Sequence, residues 1–194
     1  MGEYLMQKVL HRDDIIRGLK QLADKATKRG ISADIYVVGG AALTLRYFDR
    51  QPTVDIDARV NRWEEISPIV EEISRENLWV ENWFNVKASQ FVPSWGKNAE
   101  WELIYSSAGI NIFVASAEVL LMMKLAASRR GRDYLDAELL MSTTGLTDRQ
   151  EIETLFSQYF PSDVLPAKAV RMLDDIFSKE LSAAPTPPIS PAFD

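Results

Sequence analysis

Two carboxylates one residue apart are the strongest chemical signal in this chain. Residues 53–60 read TVDIDARV and alternate strictly. Val54, Ile56, Ala58 and Val60 fall on one side, and Asp55, Asp57 and Arg59 on the other. Strand geometry puts Asp55 and Asp57 on one face, about 7 Å apart along the chain. Like charges so placed repel, and any burial adds a desolvation cost. A cation between them removes the conflict. Hard oxygen donors of this kind suit Mg²⁺ (or Mn²⁺), which commonly takes one or two carboxylates plus substrate phosphates. A solvated strand face is the other reading of the same pair.

What precedes the pair narrows the choice. Residues 33–38, ADIYVV, are short, apolar and β-branched, which predicts a buried strand. Gly39-Gly40 ends it, and residues 41–48 read as a helix. Two glycines after a strand let backbone N–H groups approach a ligand closely, and the helix N-terminus that follows favours an anion. A glycine cradle for phosphates beside a two-carboxylate metal site is what phosphoryl chemistry on a nucleoside triphosphate needs.

The remaining elements must position these residues. Ile15, Leu19, Leu22 and Ala26 recur at helical spacing over 11–29, with Gly30 as the stop. The lone His11 stands at the start of that helix, in a surface or capping role. Ser67-Pro68 predicts a second helix start, with Pro at the first helical position, running to about residue 77. Residues 78–115 read as β-structure: one hairpin-like region from LWVENWFNV and KASQFVPSW, then WELIYSS and INIFVAS around a turn at Ala108-Gly109. Four of the five Trp lie between 79 and 101, where core is the expected role. Ser116 caps a helix over 117–130, a second helix covers 133–141, and Thr147 with Gln150 forms a capping box for 148–159. Pro166 opens a last helix, in which Val170, Leu173, Ile176 and Phe177 share a face. The tail from residue 183 is Pro-rich and disordered or extended.

This order predicts an α+β fold: a mixed sheet flanked by helices, followed by a small helical region. Residues 1–145 would form the main domain with its core at 33–141, residues 146–182 a helical region packed on it, and 183–194 the tail.

Composition excludes whole classes of chemistry. The 194 residues contain no Cys and one His. Disulfides, thiolate metal sites, a Cys nucleophile and two-His metal sites are thereby excluded. The net charge of −6 argues against a protein that coats nucleic acid nonspecifically. That charge is uneven, because residues 133–194 hold four Lys or Arg against eleven Asp or Glu. Just before them lies a basic knot of Lys124, Arg129, Arg130 and Arg132, with no acid over 119–132. It reads either as cations at a helix C-terminus or as a phosphate site. No apolar run is long enough for a signal peptide or a membrane span, and a cytoplasmic protein is expected.

At this point the residues resemble a family. VVGGAALTLRYFDRQPTVDID is similar to the first motif of the nucleotidyltransferase superfamily, and SAEVLLMMKLAASRRGRDYLDAELL supplies a second match. The second resembles the Lys…Arg…Arg-Asp-x-x-Asp segment of small bacterial nucleotidyltransferases related to abortive-infection and type IV toxin–antitoxin toxins. The resemblance covers about residues 33–141. It implies a nucleotidyltransferase-like fold and transfer of a nucleoside monophosphate from an NTP to a hydroxyl on RNA (such as a tRNA end), protein or a small molecule. Gly39 and Gly40 would hold the triphosphate, Asp55 and Asp57 would bind Mg²⁺, and Lys124 would contact a phosphate. Arg129 and Arg130 would add charge there, with Asp133 and Asp136 organising them. Arg129, Asp133 and Asp136 also share one helix face if Gly131 does not break the helix. Thr53 either assists phosphate binding or merely suits a strand. A cognate antitoxin protein is implied as a partner. The family pattern calls for a third carboxylate on a nearby strand. INIFVAS offers only Asn111, so Glu102 is the candidate if its strand adjoins Asp55 and Asp57. Without that acid, the alternative is a non-catalytic nucleotide-binding or regulatory module of the same fold.

Overall fold

The computed structural model describes residues 9–129 and 131–193, with the backbone alone at Arg132. Among these residues the chain forms five strands and seven α-helices, an α+β architecture with one mixed sheet. It divides into two units. One holds the described residues up to Ser89, then Trp101–Val114 and the stretch from Pro187; the other holds residues 90–100 and 115–186.

The first unit carries the sheet. In chain order it contains α1 (Arg12–Lys28), β1 (Ala33–Val38), α2 (Gly39–Arg46), β2 (Ile56–Val60), α3 (Trp63–Asn77), β3 (Phe84–Asn85), β4 (Trp101–Ser107) and all but the last residue of β5 (Ile110–Ala115). The strand order is β3-β2-β1-β5-β4. β1 runs antiparallel to β2 and parallel to β5, and β2 runs parallel to β3. β1 is central because its apolar residues Ile35, Val37 and Val38 have no exposed surface. α1 buries Ile15, Leu19, Leu22 and Ala26 as its spacing predicts. At Gly18 the same helix comes so near the Trp79 and Trp83 rings that a Cβ would clash with both, 2.5 Å from the Trp83 ring. A cluster of ion pairs joins α1 to α3. Lys25 reaches Glu72 at 2.6 Å and Glu76 at 2.8 Å, and Arg29 also pairs with Glu72.

Several boundaries differ from expectation for identifiable reasons. α2 begins at Gly39, so both glycines belong to its first turn. α3 begins at Trp63, with Pro68 inside it. Pro68 costs one early backbone bond and the helix tolerates it, with Glu64 and Glu65 favourably placed at its positive end. The hairpin expected over 78–95 is absent. Trp79, Trp83 and Phe84 are buried as core, Trp79 and Trp83 completely, while Phe91 is half exposed, only Phe84–Asn85 pair as a strand and Lys87–Phe91 form a 3₁₀ turn. Trp95 departs from the core role and is 90% exposed. The alternation over 53–60 also breaks at its start. Thr53 is buried in an isolated bridge to Leu10, and Val54 faces solvent. The β4–β5 pair around Ala108-Gly109 forms as read.

The second unit is helical: α4 (Ala117–Ala127), α5 (Arg132–Thr144), α6 (Arg149–Tyr159) and α7 (Ala167–Phe177). α4 buries Val119 through Met123 and Leu125, apolar nearly all round, as a central helix must be. Ser116 caps it, accepting from the Val119 N–H at 3.3 Å. α6 is capped by Asp148, which accepts from Glu151 N–H at 2.9 Å, and not by the Thr147–Gln150 box. A charged cap one residue later satisfies the same orphan donors and suits the helix dipole. α7 starts after Pro166 and buries Ala169, Met172, Leu173 and Ile176. Residues 181–193 form no helix or strand. Within the first unit, Arg12 Nη2 donates to the Ile189 carbonyl at 2.5 Å, and Phe193 packs on Tyr105. No described helix is long and apolar enough to cross a membrane.

Candidate functional site

Gly39 and Gly40 stand where β1 turns into α2, and their missing side chains matter. Gly39 has φ +65, a left-handed conformation that favours glycine. The β1–β2 register sets Val38 opposite Asp57. The Asp57 carboxylate consequently lies against Gly39, its Oδ2 3.2 Å from where a Cβ would be. At Gly40 a Cβ would collide with the Arg50 guanidinium and lie 3.1 Å from Thr53 Oγ1. Thr44 Oγ1 donates to the Gly40 carbonyl at 3.0 Å and fixes the first turn of α2. The turn is thus lined by a carboxylate on one residue and a guanidinium with a hydroxyl on the next.

Asp55 sits just before β2 and is steered by its neighbours. Thr53 Oγ1 donates to the Asp55 carbonyl at 3.1 Å, which bends the chain into the strand. Asn85 Nδ2 donates to Asp55 Oδ2 at 2.9 Å. Lys87 N–H donates to Asn85 Oδ1 at 3.0 Å, so the amide is held with its donor toward Asp55. Asn85 pairs with Asp57 in the parallel β2–β3 register. Paired residues on neighbouring strands point to one face, and Asn85 reaches Asp55 from there. Asp55, Asp57 and Asn85 therefore share a face beside the Gly39-Gly40 turn.

The expected third carboxylate is not on this face. Glu102 lies on β4, which β1 and β5 separate from β2. Three inter-strand steps amount to roughly 14 Å. Its carboxylate is engaged by Arg46, 2.6 Å away, and that hydrogen bond raises the Arg46 pKa. The condition that would have brought Glu102 to Asp55 and Asp57 therefore fails. Asn111 donates to Asp34 Oδ1 at 2.8 Å, near the end of β1 opposite to Gly39. Among the described residues no group of three or more His, Cys, Asp or Glu is arranged to hold a metal. The donor set at the glycine turn is two carboxylates, which still suits Mg²⁺ completed by substrate phosphates.

The second motif forms its own cluster in the helical unit. α4 ends at Ala127, Ser128 is left-handed at φ 44, and Gly131 at φ 79 precedes α5. Gly131 does break the helix, so Arg129, Asp133 and Asp136 do not share one continuous helix face. They meet across the turn instead. Lys124 Nζ lies 2.8 Å from Asp133 Oδ1 and 2.8 Å from Asp136 Oδ2. Asp133 Oδ2 also accepts from Arg129 N–H at 2.7 Å. The three side chains are 13%, 2% and 5% exposed. A lysine so enclosed locks α4 to α5. The Arg129 side chain is 64% exposed, and its Nε is 3.8 Å from Asp133 Oδ2. Arg130 lies outside the described residues.

A family model matches residues 14–174, and its description is a nucleotidyltransferase of unknown function (DUF6036). The chain belongs to this family. No curated protein and no solved structure matches it. The stretch matched to the nucleotidyltransferase family contains the glycine turn, the Asp55–Asp57 pair and the Lys124 cluster. The α+β fold with its mixed sheet is the nucleotidyltransferase-like one expected.

Sequence reasoning missed Arg50 and Asn85. Arg50 lies between the helix read over 41–48 and the strand read from Thr53, and an arginine three residues ahead of Thr-x-Asp was the available signal. Asn85 had no local signal, because only the β2–β3 pairing brings it to Asp57.

Proposed function

We propose that this protein is a Mg²⁺-dependent nucleotidyltransferase that moves a nucleoside monophosphate from an NTP to a hydroxyl acceptor. The observation that carries the reading is the single turn at Gly39-Gly40, with the Asp57 carboxylate against one glycine and the Arg50 guanidinium against the other. Backbone N–H groups at the start of α2 and the Arg50 guanidinium would receive the triphosphate oxygens. Asp55 and Asp57 would hold Mg²⁺ (or Mn²⁺), with Asn85 orienting Asp55. A bound divalent ion offsets charge on the phosphates during transfer. In the reaction the acceptor oxygen bonds to the α-phosphorus, the bond to the bridging oxygen breaks, and pyrophosphate leaves. The acceptor's proton passes to a carboxylate of the pair or to solvent. Thr53 contributes its hydroxyl beside Gly40. In the helical unit Lys124 would contact a phosphate and Arg129 would add charge there, as the motif resemblance implies.

An RNA acceptor, a toxin role and a cognate antitoxin that silences it belong to the same proposal, supported by the motif resemblance. A second reading has its own support in Asn85. An amide stands on the strand next to Asp57 and accepts no proton as a base would. That favours a nucleotide-binding module without turnover.

Labelled NTPs, Mg²⁺ and total RNA or cell lysate, incubated with wild type and with Asp55→Ala plus Asp57→Ala, separate these readings. The enzyme reading expects label transfer by wild type and none by the double variant. Mg²⁺-dependent NTP binding without transfer supports the module. Transfer that survives the double variant removes Asp55 and Asp57 from the account.

A further inference from the structure

Residues 133–194 carry a net −7, yet three of their four cations gather at one place. Lys168 and Arg171 lie on one face of α7, at i and i+3, and line a cavity of about 280 Å³ together with Arg129, Tyr134 and Asp175. Lys179 sits over the Tyr134 ring, 5.6 Å from its centroid. Arg149, the fourth cation, is paired with Glu153 and Asp174. Lys168 and Arg171 are exposed and, among the described residues, make no ion pair. Asp175, one turn from Arg171, is the single acid in the lining among the described residues. Surface cations in so acidic a segment would be expected to neutralise its carboxylates. These two instead face a cavity beside the mostly exposed Arg129.

We propose that this groove holds the phosphate backbone of a single-stranded nucleic acid, the strand whose hydroxyl accepts the nucleotide. The inference rests on the nucleotidyltransferase reading for the acceptor's role, while the binding itself stands on the groove. Guanidinium forks at Arg129 and Arg171 match phosphate oxygens in pairs, and Lys168 adds a point charge between them in sequence. An aromatic ring among cations is the composition that single strands use, because every base offers a face to stack on. The groove is small and local, which agrees with a net charge that opposes general nucleic-acid coating.

The test uses the full chain and a fluorescein-labelled 20-nucleotide single-stranded RNA, followed by polarisation from 50 to 200 mM salt. Lys168→Gln with Arg171→Gln removes two exposed charges. A control of equal charge, Lys28→Gln with Arg75→Gln, lies in the other unit. The groove variant is expected to bind at least tenfold more weakly at 100 mM salt. Its log-affinity against log-salt slope is expected to be shallower by about 1.4, the loss of two strand phosphates. The control variant, and Asp55→Ala with Asp57→Ala, are expected to bind as wild type does. Unchanged affinity in the groove variant overturns the proposal, as does an equal loss in the control. Competition by poly-glutamate as strong as by unlabelled RNA overturns it in favour of an acidic peptide. A wild type that fails to bind RNA overturns it, and tripolyphosphate binding measured by calorimetry in that case points to a free phosphate anion. Label transfer reports separately on the enzyme. Transfer with unaltered RNA binding in the groove variant removes the groove alone, and RNA binding lost there without any transfer removes the enzyme reading alone.

Discussion

Lys124→Met should unfold the helical unit far more readily than it disturbs anything else. Lys124 is the one cation within hydrogen-bond distance of both Asp133 and Asp136 among the contacts described, at 2.8 Å each. The carboxylates are 2% and 5% exposed, so water cannot readily replace the lost ammonium. Removing one partner from a buried ion cluster costs about 3–5 kcal/mol, because it leaves charge uncompensated. Asp133 keeps the Arg129 N–H at 2.7 Å, which favours the lower part of that range. With an m value of about 2 kcal/mol per molar urea, the midpoint should fall by about 1.5–2.5 M. The measurement is urea unfolding followed by far-ultraviolet circular dichroism. Adding Asp133→Asn and Asp136→Asn to Lys124→Met neutralises both buried carboxylates and should recover much of the loss. A Lys124→Met midpoint within about 0.5 M of wild type, on the same m value, would refute the reasoning, as would a triple variant no better than the single. Lost NTP binding with full stability would mean that Lys124 serves the ligand and not the helix pair.

Three further outcomes follow from the same geometry. Gly40→Ala displaces the Arg50 guanidinium and should weaken NTP binding in calorimetry, whereas Gly30→Ala, strained at φ +68 but with open space around its Cβ, should cost stability and leave binding intact. Asn85→Ala frees the Asp55 carboxylate and should weaken Mg²⁺ affinity about 10–100-fold, the usual loss when a ligand's supporting contact is removed. Manganese titration read by electron paramagnetic resonance checks this. Glu72 is held below its ordinary pKa of 4.5, first by the hydrogen bond from Lys25 and then by that from Arg29. Its contribution to stability is present above pH 4.5 and is lost as pH falls through the lowered value. Wild type should therefore exceed Glu72→Gln in stability at pH 7 and converge with it in acid. An undiminished gap at the lowest pH would contradict the assignment.

The local parts of the site were legible because local physics decides them. A β-branched run, two glycines and a capped apolar helix state β1, the turn and α4 without tertiary help. The Asp-x-Asp pair was visible for the same reason. What the residues could not state was which strands adjoin. Glu102 and Asn85 are both polar residues in an aromatic-rich stretch, and only the order β3-β2-β1-β5-β4 sends one to the far edge and the other to Asp57. Trp79 and Trp83 misled the strand reading because aromatic residues suit a strand and a core equally, and Gly18 on α1 makes room for them in the core. Arg50 was hidden because a long side chain acts at its tip, far from where its backbone sits.

The central claim is that the Gly39-Gly40 turn and the Asp55–Asp57 pair together hold a metal-bound triphosphate. A crystal structure with Mn²⁺ and a non-hydrolysable NTP tests it most directly. The account predicts an anomalous peak ligated by Asp55 and Asp57, with the triphosphate on the glycine turn beside Arg50. A triphosphate seated elsewhere, or a metal that touches neither aspartate, would contradict it.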